Sequence, residues 1–273
     1  MNINYLQSFN ITLTPMRVVF NKYQGAGNDF IIIDNRNNIF NPDDSNLINK
    51  LCDRRFGIGA DGLILICASS QYDFEMKYFN SDGKIGSMCG NGGRCSADFA
   101  IKSGIAGKNL IFAAADGLHK AFAENGIIKL SMNDPKEPHL VNGSYFINTG
   151  SPHYVLFKKN INPIDVNSEG KKLRWDREFA PDGTNVNFVE LEKDGIYVRT
   201  FERGVEEETL ACGTGVTASA IATVLSGHLD TKTVRVRTKG GNLSVSFNIS
   251  GKVISDIWLS GPATFVFEGE IEV

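Results

Sequence analysis

Short apolar runs separated by polar punctuation dominate this chain. Phe30–Asp34, Leu63–Cys67, Phe74–Phe79, Ile127–Met132, Val186–Leu191, Ile196–Phe201, Val234–Thr238 and Leu243–Phe247 read as β-strands, most of them bounded by Gly, Asn or Asp. Several alternate with a period of two, as in Ile196-Tyr197-Val198-Arg199-Thr200-Phe201, which predicts one face turned to a core. Helical patterns are few. Asp43–Asp53 is one, with Asp43, Asp44 and Ser45 as a cap and Leu47, Ile48 and Leu51 as a stripe. Two more begin after Cys89 and Cys212. Met1–Pro15 mixes Ile, Leu and Phe with Asn, Gln, Ser and Thr, and has none of the three parts of a secretory signal. It is expected to be a disordered extension or the product of an upstream start, with a strand-like run following at Arg17–Phe20.

The pattern repeats. Setting Cys89–Gly104 over Cys212–Gly227, at an offset of 123, gives seven identities in sixteen positions: Cys89/Cys212, Gly90/Gly213, Gly92/Gly215, Ser96/Ser219, Ala97/Ala220, Ser103/Ser226 and Gly104/Gly227. A strand pattern precedes each cysteine, and another follows each helix (Leu110–Ala115 and Val234–Thr238), then a glycine turn. The chain therefore reads as a duplicated lobe related by a pseudo-two-fold. Asn133-Asp134-Pro135-Lys136-Glu137-Pro138 lies between the two motifs and is the expected junction.

Composition narrows the function. Lys plus Arg is 28 against 31 for Asp plus Glu, a net charge of −3, so there is no general basic face for nucleic acid or an anionic membrane. No apolar window is long enough for a membrane span. Five cysteines without a CxxC, and four histidines without ligand spacing, make neither a disulfide framework nor a structural zinc site. A reduced, cytoplasmic setting is expected.

Each C-G-x-G opens a helix. The first-turn N–H groups have no intrahelical partner and the dipole there favours negative charge, so a carboxylate can sit on them. The same field is expected to lower the pKa of a cysteine at that point. Cys52, Cys67 and Cys95 read as small buried hydrophobes, but packing gives no reason for sulfur at matching positions in both halves. Two lobes face to face would aim two thiols at one cleft. One thiolate could remove the proton next to a carboxylate while the opposite thiol donates one to the other face. An empty cleft of this kind is expected to allow a Cys89–Cys212 disulfide on air oxidation, and the lobes are expected to hinge around substrate.

At these residues the sequence resembles the diaminopimelate epimerases. The likeness spans nearly all of Met16–Val273. It rests on Lys22-Tyr23-Gln24-Gly25-Ala26-Gly27-Asn28-Asp29-Phe30, Arg55-Phe56-Gly57-Ile58-Gly59-Ala60-Asp61-Gly62, Phe79-Asn80-Ser81-Asp82-Gly83 with Met88-Cys89-Gly90-Asn91-Gly92, Gly150-Ser151-Pro152-His153, Gly183-Thr184-Asn185-Val186-Asn187-Phe188, Phe201-Glu202-Arg203-Gly204 and Glu208-Thr209-Leu210-Ala211-Cys212-Gly213-Thr214-Gly215. The resemblance implies an α+β fold of two pseudo-symmetric lobes, each a β-barrel-like sheet around a central helix. The lobes would span 16–134, completed by a strand at 263–273, and 135–262. It implies interconversion of LL- and meso-diaminopimelate without metal or organic cofactor, in lysine and peptidoglycan precursor biosynthesis, by a homodimer. Cys89 and Cys212 would be the acid/base pair. Gly90, Asn91, Gly213 and Thr214 would hold the α-carboxylate at the reacting centre. Asn28, Asn80, Asn185, Glu202 and Arg203 would hold the distal amino-acid head, and His153 would support the centre.

Three positions depart from the family pattern. Ser151 stands where Asn is frequent, so one distal contact is expected to be shortened or water-mediated. Gly62 stands where some members have Gln, so no contact is carried over there. One extra residue lies between Arg203 and Cys212, within Gly204-Val205-Glu206-Glu207-Glu208. These glutamates are expected to be solvated, with Glu208 able to cap the next helix. A cysteine-pair racemase for proline or hydroxyproline is the nearest alternative, and a proline ring would not need Glu202 and Arg203. A binding protein, or an isomerase of the same fold working through a carboxylate, would not need both cysteines.

Overall fold

A computed structural model of the chain describes residues 17–273, so the expectation for Met1–Pro15 lies outside the described residues. The first half contains β1 (Arg17–Gly25), β2 (Asn28–Asp34), α1 (Ser45–Cys52), β3 (Gly62–Cys67), β4 (Phe74–Asn80), α2 (Gly90–Lys102), β5 (Asn109–Ala114), β6 (Gly117–Glu124) and β7 (Ile127–Met132). The second contains β8 (Lys136–Val141), β9 (Ser144–Asn148), β10 (Pro152–Phe157), α3 (Val166–Arg174), β11 (Asn185–Glu192), β12 (Gly195–Glu202), β13 (Glu207–Thr209), α4 (Gly213–Leu225), β14 (Thr233–Thr238), β15 (Gly241–Ser250), β16 (Val253–Gly261) and β17 (Thr264–Glu272).

The repeat extends to the pairing. β2 and β3 are parallel, as are β4 and β5, and their counterparts β10/β11 and β12/β14 are parallel too. Parallel neighbours need a crossover, and each crossover carries a helix: α1 and α3 in the first pairs, α2 and α4 in the second. The remaining neighbours are antiparallel, with β17 against β1 where the other half has β8 against β9. The last strands of the two repeats, β7 and β16, pair with each other, and Leu130 lies opposite Leu259. All seventeen strands thus form one continuous sheet.

α2 and α4 lie inside. Ten of thirteen residues are buried in each, too many for a surface helix with one apolar stripe. Their side chains share a single core with β7, β16 and the inner faces of both halves, Leu130, Val216, Ile221 and Leu259 among them. At about 1.5–3 kcal/mol per fully buried large apolar side chain, this core fixes the helices far more firmly than their caps do. α1 and α3 instead pack outside, over two smaller clusters. Asp44 caps α1 by accepting from Leu47 N–H at 2.9 Å, as its sequence pattern predicts. Both central helices end alike. Gly104 and Gly227 each adopt φ +69, and Ile105 and His228 N–H reach back to Ala100 and Thr223 carbonyls at 2.9 and 3.1 Å.

Candidate active site

Cys89 and Cys212 are the residues immediately before α2 and α4, in extended conformation, with no side-chain cap to cover the helix N–H groups. The two helix starts meet. A Cβ on Gly213 would stand 3.2 Å from the Gly90 Cα and 3.1 Å from Leu259 Cδ2, so glycine is what lets the two N-termini abut. Both cysteines line one cleft of about 650 Å³. The same cleft is lined by Asn28, Asn80, Gly90, Asn91, Asn185, Glu202, Arg203, Gly213 and Thr214. Every residue to which the resemblance gives a substrate contact is therefore brought to one place. His153 is not part of the lining.

In the first half, Asn28 stands beside the sulfur. The Cys89 S–H donates to Asn28 Oδ1 at 3.5 Å, and the Asn91 Nδ2 donates to the same oxygen at 3.3 Å. The opposite face of the amide is held by Asp61, whose Oδ2 accepts from Asn28 Nδ2 at 2.7 Å. Arg54 forks Asp29 at 2.6 and 3.0 Å and also reaches Asp61 at 2.7 Å, and Lys22 closes the network on Asp29 at 2.7 Å. These partners fix which end of Asn28 faces the sulfur. Sequence patterning did not point to Asp61, Arg54, Asp29 or Lys22 as part of the site, because the contacts join residues 7 to 33 positions apart.

In the second half, Cys212 Sγ lies 3.4 Å from Thr214 Oγ1, and His153 Nε2 lies 2.9 Å from that hydroxyl. Asn187 Nδ2 donates to the Tyr154 carbonyl at 3.4 Å and to His153 Nδ1 at 3.1 Å, which puts the ring proton on Nε2 and makes Thr214 the acceptor from it. Thr200 completes the chain by donating to Asn187 Oδ1 at 2.9 Å. His153 is wholly buried and acts behind Thr214, not in the cleft. Burial first, then the Arg203 guanidinium, lowers its pKa to about 3, so it is neutral.

At the far end, Glu202 and Arg203 follow one another at the end of β12. Neither side chain has an ion-pair partner among the described residues. Asn185 holds this corner: its Oδ1 accepts the Arg203 N–H at 2.8 Å, and its Nδ2 donates to Ser151 Oγ at 2.8 Å and to the Pro152 carbonyl at 2.7 Å. Ser151 thus meets Asn185 directly. A Cβ on Gly62 would collide with Tyr78 and the Phe79 carbonyl at 2.5 Å, so the Tyr78 ring fills the volume a longer side chain there would need. The extra residue after Arg203 is absorbed in a turn where Glu206 adopts φ +64. The expectation of three solvated glutamates needs correction. Of the three, only the Glu207 side chain has no ion-pair partner among the described residues. Glu206 pairs with Arg174 at 2.6 Å, and Glu208 is gripped by Arg199 at 2.6 and 2.8 Å and by Lys239 at 2.7 Å, so it braces β12 and β13 instead of capping α4.

The expected drop in thiol pKa is also overturned. Burial pushes the Cys89 thiol up to about 11, and the Glu202 carboxylate adds to this. The N–H groups of Gly92 and Asn91 and the Arg94 guanidinium pull it down, but by less. Cys212 is raised as well, by burial, Glu202 and Cys89, against the Thr214 hydroxyl and the Gly215 N–H. The helix-terminus effect is present in both and desolvation outweighs it. Both shifts favour the thiol form of the sulfur.

Comparison with known proteins identifies the family. The profile of the diaminopimelate epimerase family matches residues 20–136 and 145–266. The diaminopimelate epimerase of Flavobacterium psychrophilum is 50% identical over 252 residues, covering 92% of this chain and 98% of that one. That of Chlorobaculum tepidum is 45% identical over 257 residues, covering 90% and 98%. Among solved structures, a phenazine biosynthesis protein of the PhzF family from Bacillus anthracis aligns with a TM-score of 0.75 at 16% identity over 94% of this chain and 99% of that one. A hydroxyproline epimerase from Agrobacterium vitis aligns with a TM-score of 0.70 at 13% identity, over 94% and 93%. The distant structures share the two-lobed fold. The close sequence relatives and the family profile go further, and with them the chain belongs to the diaminopimelate epimerase family.

Proposed function

We propose that this chain interconverts LL- and meso-2,6-diaminopimelate through two cysteines acting on opposite faces of one carbon. The observation that carries the proposal is the pair of cysteines, one from each half, on a single cleft whose floor is the contact between two helix starts. The α-carboxylate of the reacting centre takes the N–H groups at the starts of α2 and α4 and the Thr214 hydroxyl. One cysteine, as thiolate, removes the α-proton, and the other, as thiol, delivers a proton to the opposite face. Negative charge that builds on the carboxylate during transfer is met by N–H donors already in position. Glu202 takes the distal ammonium and Arg203 the distal carboxylate, a bidentate match for guanidinium geometry. Glu202 thereby couples binding to chemistry, since an ammonium on it cancels a negative field that adds to burial in keeping both sulfurs protonated.

The unpaired Glu202 and Arg203 weigh against a proline or hydroxyproline substrate, and two cleft thiols weigh against a carboxylate-based isomerase. Five free cysteines fit a reduced, cytoplasmic setting. Incubation of LL-diaminopimelate with the protein in deuterated water tests the reading. Deuterium is expected at the inverted α-carbon, and Cys89→Ala and Cys212→Ala are each expected to abolish full turnover. Wild-type-like turnover in either variant rules the two-cysteine scheme out.

A further inference from the structure

Arg94 is a charge without a counter-ion. It sits in the second turn of α2 with none of its surface exposed, and no carboxylate lies within salt-bridge distance among the described residues. Its hydrogen bonds all go to neutral oxygens: Gly90 carbonyl at 3.1 Å, Asn91 Oδ1 at 2.9 Å and Pro262 carbonyl at 3.5 Å. Two glycines pack against it. A Cβ on Gly25 would come within 3.4 Å of its Nη2, and one on Gly261 within 3.2 Å of its Nε. Burying a guanidinium without an anion is expensive, so a purely structural role needs a bond that only a cation can make.

The repeat shows that the bond within the helix needs no cation. Thr217 is the counterpart of Arg94 at the offset of 123. Its hydroxyl donates to the Gly213 carbonyl at 2.9 Å, the same i−4 bond that Arg94 makes to Gly90. One half satisfies that carbonyl with a neutral hydroxyl, the other with a charge. The charge is therefore surplus to the helix, and it stands on the Cys89 side only. It also sets Asn91, whose Nδ2 is left to donate to the Ala211 carbonyl at 3.0 Å in the other half and to Asn28 Oδ1 beside Cys89.

We propose that Arg94 is a positioning residue that acts through Cys89 and Asn91: a fixed cation behind the carboxylate seat that makes Cys89 the more acidic of the two thiols. Other groups face Cys89. Glu202 from β12 opposes ionisation, Tyr78 from β4 and Cys212 before α4 lie across the cleft, and Cys95 follows in the same helix. Glu202 acts on both sulfurs, whereas Arg94 stands in the second turn of the helix that Cys89 opens and its counterpart in the helix that Cys212 opens is the neutral Thr217. The proposal deepens the epimerase reading and rests on it for its purpose, but its test does not need turnover.

The test is alkylation of the substrate-free protein by iodoacetamide across pH, with each modified cysteine identified by peptide mass. In the wild type, Cys89 is expected to react at lower pH than Cys212; the opposite order overturns the proposal without any variant. Arg94→Met removes the charge at similar volume; it relieves an unpaired buried cation but withdraws a donor from the Gly90 and Pro262 carbonyls and from Asn91 Oδ1, so a thermal melt confirms that the variant is folded. In that variant the Cys89 profile is expected to move up by about one pH unit, a tenfold slower reaction at fixed pH, with Cys212 shifted less. Arg94→Lys is expected to restore most of the shift. An unmoved Cys89 profile in folded Arg94→Met, or equal shifts at both cysteines, refutes the proposal. If the deuterium experiment fails while these shifts appear, the substrate reading falls and the role of Arg94 stands.

Discussion

His153 carries a liability that its neighbours impose. Buried behind Thr214 and facing the Arg203 guanidinium, it resists protonation until about pH 3, whereas an unfolded histidine takes up a proton near 6.5. Above pH 6.5 both states are neutral and the residue makes no difference. Below it the unfolded chain gains a proton that the folded chain refuses, so stability falls by about 2 kcal/mol between pH 7 and pH 5 from this one group. His153→Gln keeps one acceptor and one donor, and is expected to flatten that part of the Tm-against-pH curve; an equally steep curve in the variant sinks the assignment. The sequence made His153 visible only as the neighbour of Pro152 in a family motif. Its partners Asn187 and Thr200 were hidden, because a chain of hydrogen bonds across β10, β11 and β12 has no local signature. Cys89 and Cys212 were legible for the opposite reason: the same residue in the same local setting, twice.

Each central helix begins and ends in glycine, for two different reasons. At the start, Gly90 and Gly213 permit contact between the halves; at the end, Gly104 and Gly227 adopt a left-handed φ with open space around the Cα. Gly213→Ala is expected to push the helix starts apart, reducing kcat by more than about tenfold at a stability loss of about 1–3 kcal/mol. Gly104→Ala is expected to lose about 1 kcal/mol and leave kcat untouched. Thermal melts beside steady-state rates separate the two, and equal effects on kcat contradict the distinction. The same contrast explains what could be read from sequence. α2 and α4 have apolar bodies between glycine ends. α3 has Gly170 in its middle, which interrupts the pattern, and that glycine is required because a Cβ there would run into the Phe201 side chain. β8 begins inside the Pro-containing stretch that reads as a junction, and Pro138 within it conceals a strand.

The whole sheet is sealed at its centre by β7 and β16 and left open at β17. That strand pairs with β1 on one side, and Phe265, Val266 and Phe267 are 41–51% exposed, with Val19 of β1 at 50%. Adjacent residues of a strand point to opposite faces, so apolar side chains here meet water on both. We propose that a second copy covers this edge, as the homodimer implied by the family resemblance would require. Val266→Asp is expected to shift the protein toward monomer in analytical ultracentrifugation, and an unaltered sedimentation profile excludes this edge.

The meeting of Gly90 and Gly213 has one more consequence. It lies near the local axis that exchanges the repeats, and on the proposed reading the carboxylate sits there too. Inverting the carbon then resembles turning the protein about that axis: each hand of the molecule finds the same tools in reversed order. Such a two-fold lets the two cysteines exchange the roles of base and acid, and which sulfur carries the charge at rest is set where the copies differ, as at Arg94 opposite Thr217.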